Sequence, residues 1–198
     1  SLYKKRILDE QGHESIEYTD KRGRVIEKRQ ELESGVYAHT HYIYDGLGRP
    51  RAIIQPMGYE LNSGFTYNSA DFQNWVFYYD YDARGRNTLK HVPAAGFTKM
   101  VYDKKDRLVM QQNAHQATLN KWNFQKYDAF DREVFRGETV NGSSQSTLQS
   151  AFNTHSTPDE VWNSASGYSG VSFPSLANPS ANDVQHYTFY DQYDFVNA

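Results

Sequence analysis

Cysteine is absent from the 198-residue chain, so no disulfide, thiolate metal site or thiol nucleophile can operate in it. That absence does not decide the compartment. Aliphatic side chains are scarce: 28 Ile, Leu and Val stand against 30 aromatics, and mean hydropathy is −0.83. So thin an apolar supply disfavours a thick α/β domain and suits one or two β-layers. Tyr fits such a layer because it buries a ring while its hydroxyl stays wet or hydrogen-bonded. No apolar run approaches the ~18 residues that a spanning helix needs. Basic residues are missing from one end. Residues 1–136 hold all 21 Lys and Arg with 18 acidic residues, whereas residues 137–198 hold six acidic and no basic ones. Acidic residues are interspersed throughout the basic part, and no concentrated basic stripe exists, which argues against nucleic-acid binding. No signal peptide is visible. Ser1 enters mid-pattern without an initiator Met, so the chain reads as a piece of a longer protein.

What is present is a short repeat. An aromatic-rich run ends in Tyr-Asp, two permissive residues follow, then Gly or Asp, then Arg. Tyr44-Asp45-Gly46-Leu47-Gly48-Arg49 is one copy, and Tyr81-Asp82-Ala83-Arg84-Gly85-Arg86 is a second. Tyr102-Asp103 with Asp106-Arg107, and Tyr127-Asp128 with Asp131-Arg132, are the next two. Asp20, Gly23 and Arg24 form a variant with Tyr18 one place early. Asp9-Glu10-Gln11-Gly12-His13 is a weaker copy, and Tyr190-Asp191-Gln192-Tyr193-Asp194-Phe195 closes the series without Arg. The pattern has a mechanical meaning. Asp can accept from the backbone two residues on, and Gly or a tolerant Asp closes a type I turn with a bulge. The flanks read as strands: Trp75, Phe77, Tyr79 and Tyr81 alternate onto one face, and Leu108–Met110 and Val134-Phe135 return. The five Asp are spaced by 25, 37, 21 and 25 residues, mostly about the length of a hairpin plus a connection. The expected fold is all-β: successive antiparallel hairpins making a curved sheet or partial β-shell, with one long irregular insertion.

On these residues the chain resembles the YD-repeat, or RHS-repeat, family. Tyr18–Arg29 and Tyr42–Pro56 are similar in particular to RHS proteins of Bacteroides-like bacteria. The resemblance covers residues 7–136 and resumes at 187–195. It implies a long β-strip that spirals into a hollow shell, in relatives around a C-terminal toxin or effector. It also implies secretion or surface display, and in some members glycan binding. The family's self-cleaving site is marked by Asp-Pro, which this sequence lacks, so the chain should not process itself.

The expected organisation is a hairpin sheet over 1–136, a Ser/Gly/Asn-rich insertion over 137–186, and a return strand over 187–198. Of residues 137–182, 24 are Gly, Ser, Thr or Asn. Within them a short helix is expected over 143–153, capped by Ser144 or Ser146, with Leu148 and Phe152 four apart. Phe152, Trp162, Tyr168 and Phe173 are spaced like anchors of an ordered flap. A binding or covering loop is the functional alternative.

Sites for chemistry are few. His39 and His41 share a strand face, and Asp45 four residues on could join them as a weak metal candidate. Otherwise they are a solvated pair. No Gly-x-Ser-x-Gly elbow occurs, and Gly167-Tyr168-Ser169-Gly170 is one residue short of it. Asp80 and Asp82 belong to turn chemistry more than to a glycosidase pair. The expectation is therefore no enzyme and no cofactor. Arg24, Arg49, Arg86, Arg107 and Arg132 are read as pairing with acids or stacking on Tyr. The alternative is a cationic row, Arg49 and Arg86 foremost, that meets glycans or an acidic partner, with Trp75, Trp122 and Trp162 offered to sugar rings. Neighbouring repeats, an encapsulated effector, and an edge-strand dimer are the other expected partners.

Overall fold

The computed structural model describes residues 2–61, 66–163, 167–168 and 184–190. Phe173 and residues 191–198, with the last Tyr-Asp copy beyond Tyr190, lie outside them. The chain divides into two compact units, Ser1–Phe97 and Thr98–Ala198.

In the first unit, strand β1 (Tyr3–Leu8) is followed by β2 (Glu14–Thr19), β3 (Val25–Glu33), β4 (Val36–Tyr44) and β5 (Pro50–Ile54), each of these four pairing antiparallel with the strand before it. Helices α1 (Pro56–Leu61) and α2 (Ala70–Trp75) follow. Strand β6 (Val76–Tyr81) then pairs with β5, and β7 (Asn87–Val92) with β6. The 37-residue interval between Asp45 and Asp82 is thus an ordinary hairpin interval with two helices placed between strands that remain neighbours. Local chemistry explains the helices. Pro56 supplies a helix-ready φ at the first position of α1, and the Ser69 hydroxyl accepts from the Phe72 N–H at 3.2 Å to cap α2. Phe72 then packs with Ala52 and Val76 against Ile54, Tyr78 and Phe97. Of the expected alternation, Phe77, Tyr79 and Tyr81 share a face of β6 and Trp75 does not join them. Trp75 ends α2, and Val76 and Tyr78, not Phe77 and Tyr79, face the cluster.

In the second unit, β8 (Gly96–Tyr102), whose first two residues belong to the first unit, pairs with β9 (Leu108–Gln112). After α3 (Ala114–Thr118), β10 (Lys121–Asp128) pairs with β9 and β11 (Glu133–Val140) with β10. The helix expected near 143–153 spans Gln145–Thr154 as α4, with Ser144 as its cap. Strand β12 (Asp159–Glu160) adds to β10 in parallel, β13 (Trp162–Asn163) pairs with β14 (Gly167–Tyr168), and β15 (Val184–Tyr187) adds to β11. The fold is all-β, built from successive antiparallel hairpins.

The core of the second unit follows from period-two burial. Along β10, Trp122, Phe124, Lys126 and Asp128 are buried and their neighbours are not. Helix α4 lays Leu148 and Phe152 on the same cluster. It is also held by amide chemistry: the Gln149 side chain accepts from the Tyr102 N–H at 3.0 Å and donates to the Tyr102 carbonyl at 2.7 Å, as a neighbouring strand would.

Candidate functional site: an interlock between successive turns

The five Asp-x-x-(Gly/Asp)-Arg segments share one geometry. Asp20 Oδ1 accepts from the backbone N–H groups of Arg22 and Arg24 at 2.8 and 3.0 Å, and Asp20 Oδ2 accepts from Arg24 Nε at 2.8 Å. Asp45, Asp82, Asp103 and Asp128 repeat this, and Arg49, Arg86, Arg107 and Arg132 each place Nε 2.7 Å from the Asp Oδ2. The Asp N–H donates to the Arg carbonyl, and the residue before Arg donates back to the Asp carbonyl. That residue is in the left-handed region in every copy. Gly23, Gly48 and Gly85 have φ of 77°, 86° and 85°, and Asp106 and Asp131 have φ of 67° and 63°. One carboxylate thus satisfies two backbone donors and one guanidinium. Asp9 makes the same backbone bonds, with His13 Nδ1 at 3.3 Å in place of Arg.

These bonds act on the carboxyls. The Arg24 side chain, then its backbone N–H, holds Asp20 below the usual carboxylate range. At Asp45 the Arg49 backbone N–H leads to the same result. At Asp82 burial pushes upward, yet hydrogen bonds from Arg86 outweigh it and the carboxyl is again lowered.

Four of these Arg also reach the Tyr of the following Tyr-Asp copy. The guanidinium of Arg24 lies 4.8 Å from the Tyr44 ring centroid, and that of Arg49 lies 4.4 Å from Tyr81. In the second unit Arg107 stacks on Tyr127 at 4.9 Å and Arg132 on Tyr190 at 4.5 Å. The same Tyr hydroxyls reach back. Tyr44, Tyr81, Tyr127 and Tyr190 donate to the carbonyls of Val25, Pro50, Leu108 and Glu133, each the residue after the stacked Arg, at 2.8–3.0 Å. Burial pushes the Tyr127 hydroxyl up to about 12, which keeps it a donor. Arg Nη1 completes the contact. Arg49 Nη1 is 3.3 Å from where a Cβ on Gly85 would sit. Where Asp replaces Gly, Arg107 Nη1 donates to Asp131 Oδ1 at 2.7 Å and to the Asp128 carbonyl at 3.2 Å. Stacking of these Arg on Tyr was expected from the sequence, but not that the ring is the Tyr of the following Tyr-Asp copy. The signal for that pairing was the fixed place of Tyr immediately before Asp.

Trp122 is only 1% exposed, with its Nε1 donating to the Asn141 carbonyl at 3.1 Å, so it is a core ring that no sugar can reach. Trp75 is half-buried at the end of α2, where its carbonyl accepts from the Gln55 N–H. Trp162 is half-buried on β13. With Tyr168, Phe189, Tyr190 and Phe130 it lines a cavity of about 240 Å³, and its Nε1 is buried without a hydrogen-bond partner among the described residues. Trp122 is enclosed, so the three Trp do not form one binding surface. His39 and His41 do share a face, but their carboxylate neighbour is Glu27 on β3 and not Asp45, whose oxygens serve its own turn. Sequence inspection also missed the ion pair of Lys126 Nζ and Glu160 Oε1, 2.9 Å apart with both side chains fully buried. Burial pushes the Lys126 ammonium down, against the pull of Glu160. Among the described residues no helix is long and apolar enough to cross a membrane.

Antiparallel hairpins joined by one recurring, side-chain-locked turn define an all-β hairpin-repeat fold. No protein-family model matches the chain, and no curated protein does. Solved structures do. The chain is similar to the crystal structure of TcdB2-TccC3-TEV, with a TM-score of 0.51 and 19% identity over 67% of this chain and 6% of that one. The Photorhabdus luminescens Tc holotoxin pore carrying a TccC3 mutation gives 0.51 and 18%, over 67% and 6%. TcdB2-TccC3 without its hypervariable C-terminal region gives 0.51 and 19%, over 65% and 6%. The chain therefore spans a small part of these proteins. At such identities the likeness shows the fold, which is RHS-like.

Proposed function

We propose that the chain is a non-catalytic structural segment of a YD/RHS-repeat protein, secreted or displayed at a cell surface, that forms part of a wall around a C-terminal effector. The carrying observation is the interlock. Five motif Asp are engaged by the Arg of their own turn, and four of those Arg stack on the Tyr of the following Tyr-Asp copy, so the motif's chemistry is spent on holding one repeat to the next and not on a ligand. The similarity to a TcdB2-TccC3 structure lacking a hypervariable C-terminal region supports the same reading. Neighbouring repeats are the natural partners. Strand β1 pairs on one side only among the described residues, and Lys4, Lys5 and Arg6 on it disfavour pairing with a second copy of itself.

The test is limited proteolysis of the full-length parent protein, with and without Arg49→Ala and Arg107→Ala together. The expected outcome is a downstream segment protected in the wild type and cut in the variant. Equal sensitivity in both would contradict encapsulation.

A second reading, glycan binding, rests on the aromatic cavity around Trp162, which is large enough for one sugar ring. Affinity electrophoresis against polysaccharides should show retardation that Trp162→Ala abolishes. Unretarded migration in all of them would end this reading.

A further inference from the structure

Strand alternation, cross-strand register and a covering ring meet at one place in the first unit. His39 and His41 are two residues apart on β4, so their side chains share a face. Strand β3 pairs with β4 so that Glu27 stands opposite His41 and Arg29 opposite His39. The ligand-capable atoms of Glu27, His39 and His41 consequently lie within 4.8 Å of one another. Glu27 Oε1 is 2.8 Å from His39 Nδ1. The two imidazoles are stacked, and the Tyr59 ring of α1 lies against both, at centroid distances of 5.1 and 4.4 Å. His41 Nε2 is buried and has no hydrogen-bond partner among the described residues, an arrangement that proteins disfavour unless something else engages the atom.

We propose that Glu27, His39 and His41 form a site for one divalent transition-metal ion, with zinc the best fit, which clamps β3 to β4 beneath Tyr59. The donor chemistry selects the ion. Two imidazoles and one carboxylate are the borderline nitrogen and oxygen ligands that zinc takes, whereas calcium and magnesium require oxygen-rich shells. The spacing fits. Ligand atoms around a tetrahedral zinc with bonds of about 2.1 Å are about 3.4 Å apart, so the present group closes by side-chain rotation without moving the strands. The carboxylate is already aimed: Arg29 Nε and Nη2 donate to its two oxygens at 2.8 and 3.3 Å. Ligating carboxylates commonly have such an outer partner. Water fills the fourth position. Since β3 leaves the Asp20 turn and β4 enters the Asp45 turn, the ion would add a second tie, further along the strands, to the two hairpins that Arg24 and Tyr44 already join. The site stands apart from the scaffold reading and survives its failure.

The test is calorimetric titration of zinc chloride into the tag-free full chain at neutral pH, with cobalt(II) absorption as a readout of tetrahedral geometry. The expected result is saturable binding of one zinc per chain, unaffected by excess magnesium. His39→Gln and His41→Gln should each weaken it at least ~10-fold, and Glu27→Gln should weaken it measurably. His115→Ala, on the exposed α3, should leave it unchanged. Circular dichroism of the metal-free variants separates lost binding from lost folding. Where a Gln variant fails to fold, cobalt absorption of the wild type decides, a tetrahedral band supporting the site. No saturable zinc binding by the folded wild type, or binding equal in the folded His39→Gln/His41→Gln double variant, would overturn the proposal.

Discussion

The first unit buries four hydrophobic residues among those described, Ile16, Ala52, Phe72 and Val76, and the second buries nine. Yet both form the same turns with nearly the same distances. Turn geometry therefore does not depend on the depth of the core beneath it. It is set within five residues by one carboxylate. The difference between the units comes from what covers the sheet: α4 seals the second with Leu148 and Phe152. In the first, α2 contributes Phe72 to a small cluster, and much of the remaining strand surface is tied by polar contacts. Arg51 bonds Tyr78 at 2.7 Å and pairs with Asp80, and Arg29 stacks on Tyr18 at 4.8 Å.

That contrast can be broken first at the core. Phe124→Ala in the second unit should lower stability by about 3–5 kcal/mol in urea denaturation, and Ile16→Ala in the first by only about 2, since the shallower site can collapse. Equal losses would remove the distinction. The buried pair sharpens it next. Lys126→Met removes the ammonium paired with buried Glu160 and should cost about 3–5 kcal/mol, whereas Lys126→Met with Glu160→Leu should recover most of the loss. A double variant as unstable as the single would show that packing, not charge, sets the effect.

These two cases also mark what the sequence could and could not reveal. The turns were legible because their bonds join residues two and four apart, so Asp, Gly and Arg announce them. Helix α4 was legible from Ser144, Leu148 and Phe152 for the same local reason. Lys126 was not: its burial depends on β12, which returns 34 residues later to pair with β10 in parallel. Trp122 was misread because a strand's two faces look alike until the cover is known. His39 and His41 were visible as a pair, but only the β3–β4 register brings Glu27 to them.

The polar side of the comparison is tested by pH. Asp20, Asp45 and Asp82 have folded-state values below the ordinary 3.8. Their contribution is therefore complete above that value and is lost as pH falls through the lower folded ones. Acid titration followed by circular dichroism should show the first unit weakening below about pH 4, and Asp82→Asn should flatten that dependence. A stability independent of pH in that range would contradict the carboxylate lock. The smallest effect lies at Gly48, where a Cβ would sit 3.4 Å from Arg24 Nη1, an atom buried without a partner. Gly48→Ala should cost about 1 kcal/mol for the left-handed backbone. Gly48→Asp should cost less, because its carboxylate can accept from Arg24 as Asp131 accepts from Arg107. The reverse order of the two midpoints would refute that equivalence.

The tie between one turn and the next is read most directly by a double-mutant cycle on Arg49 and Tyr81. With Arg49→Ala, Tyr81→Leu and the pair, urea denaturation should return a coupling energy of about 0.5–1 kcal/mol. Strict additivity, within about 0.3 kcal/mol, would mean that the stack carries no energy and that successive turns are neighbours without being joined.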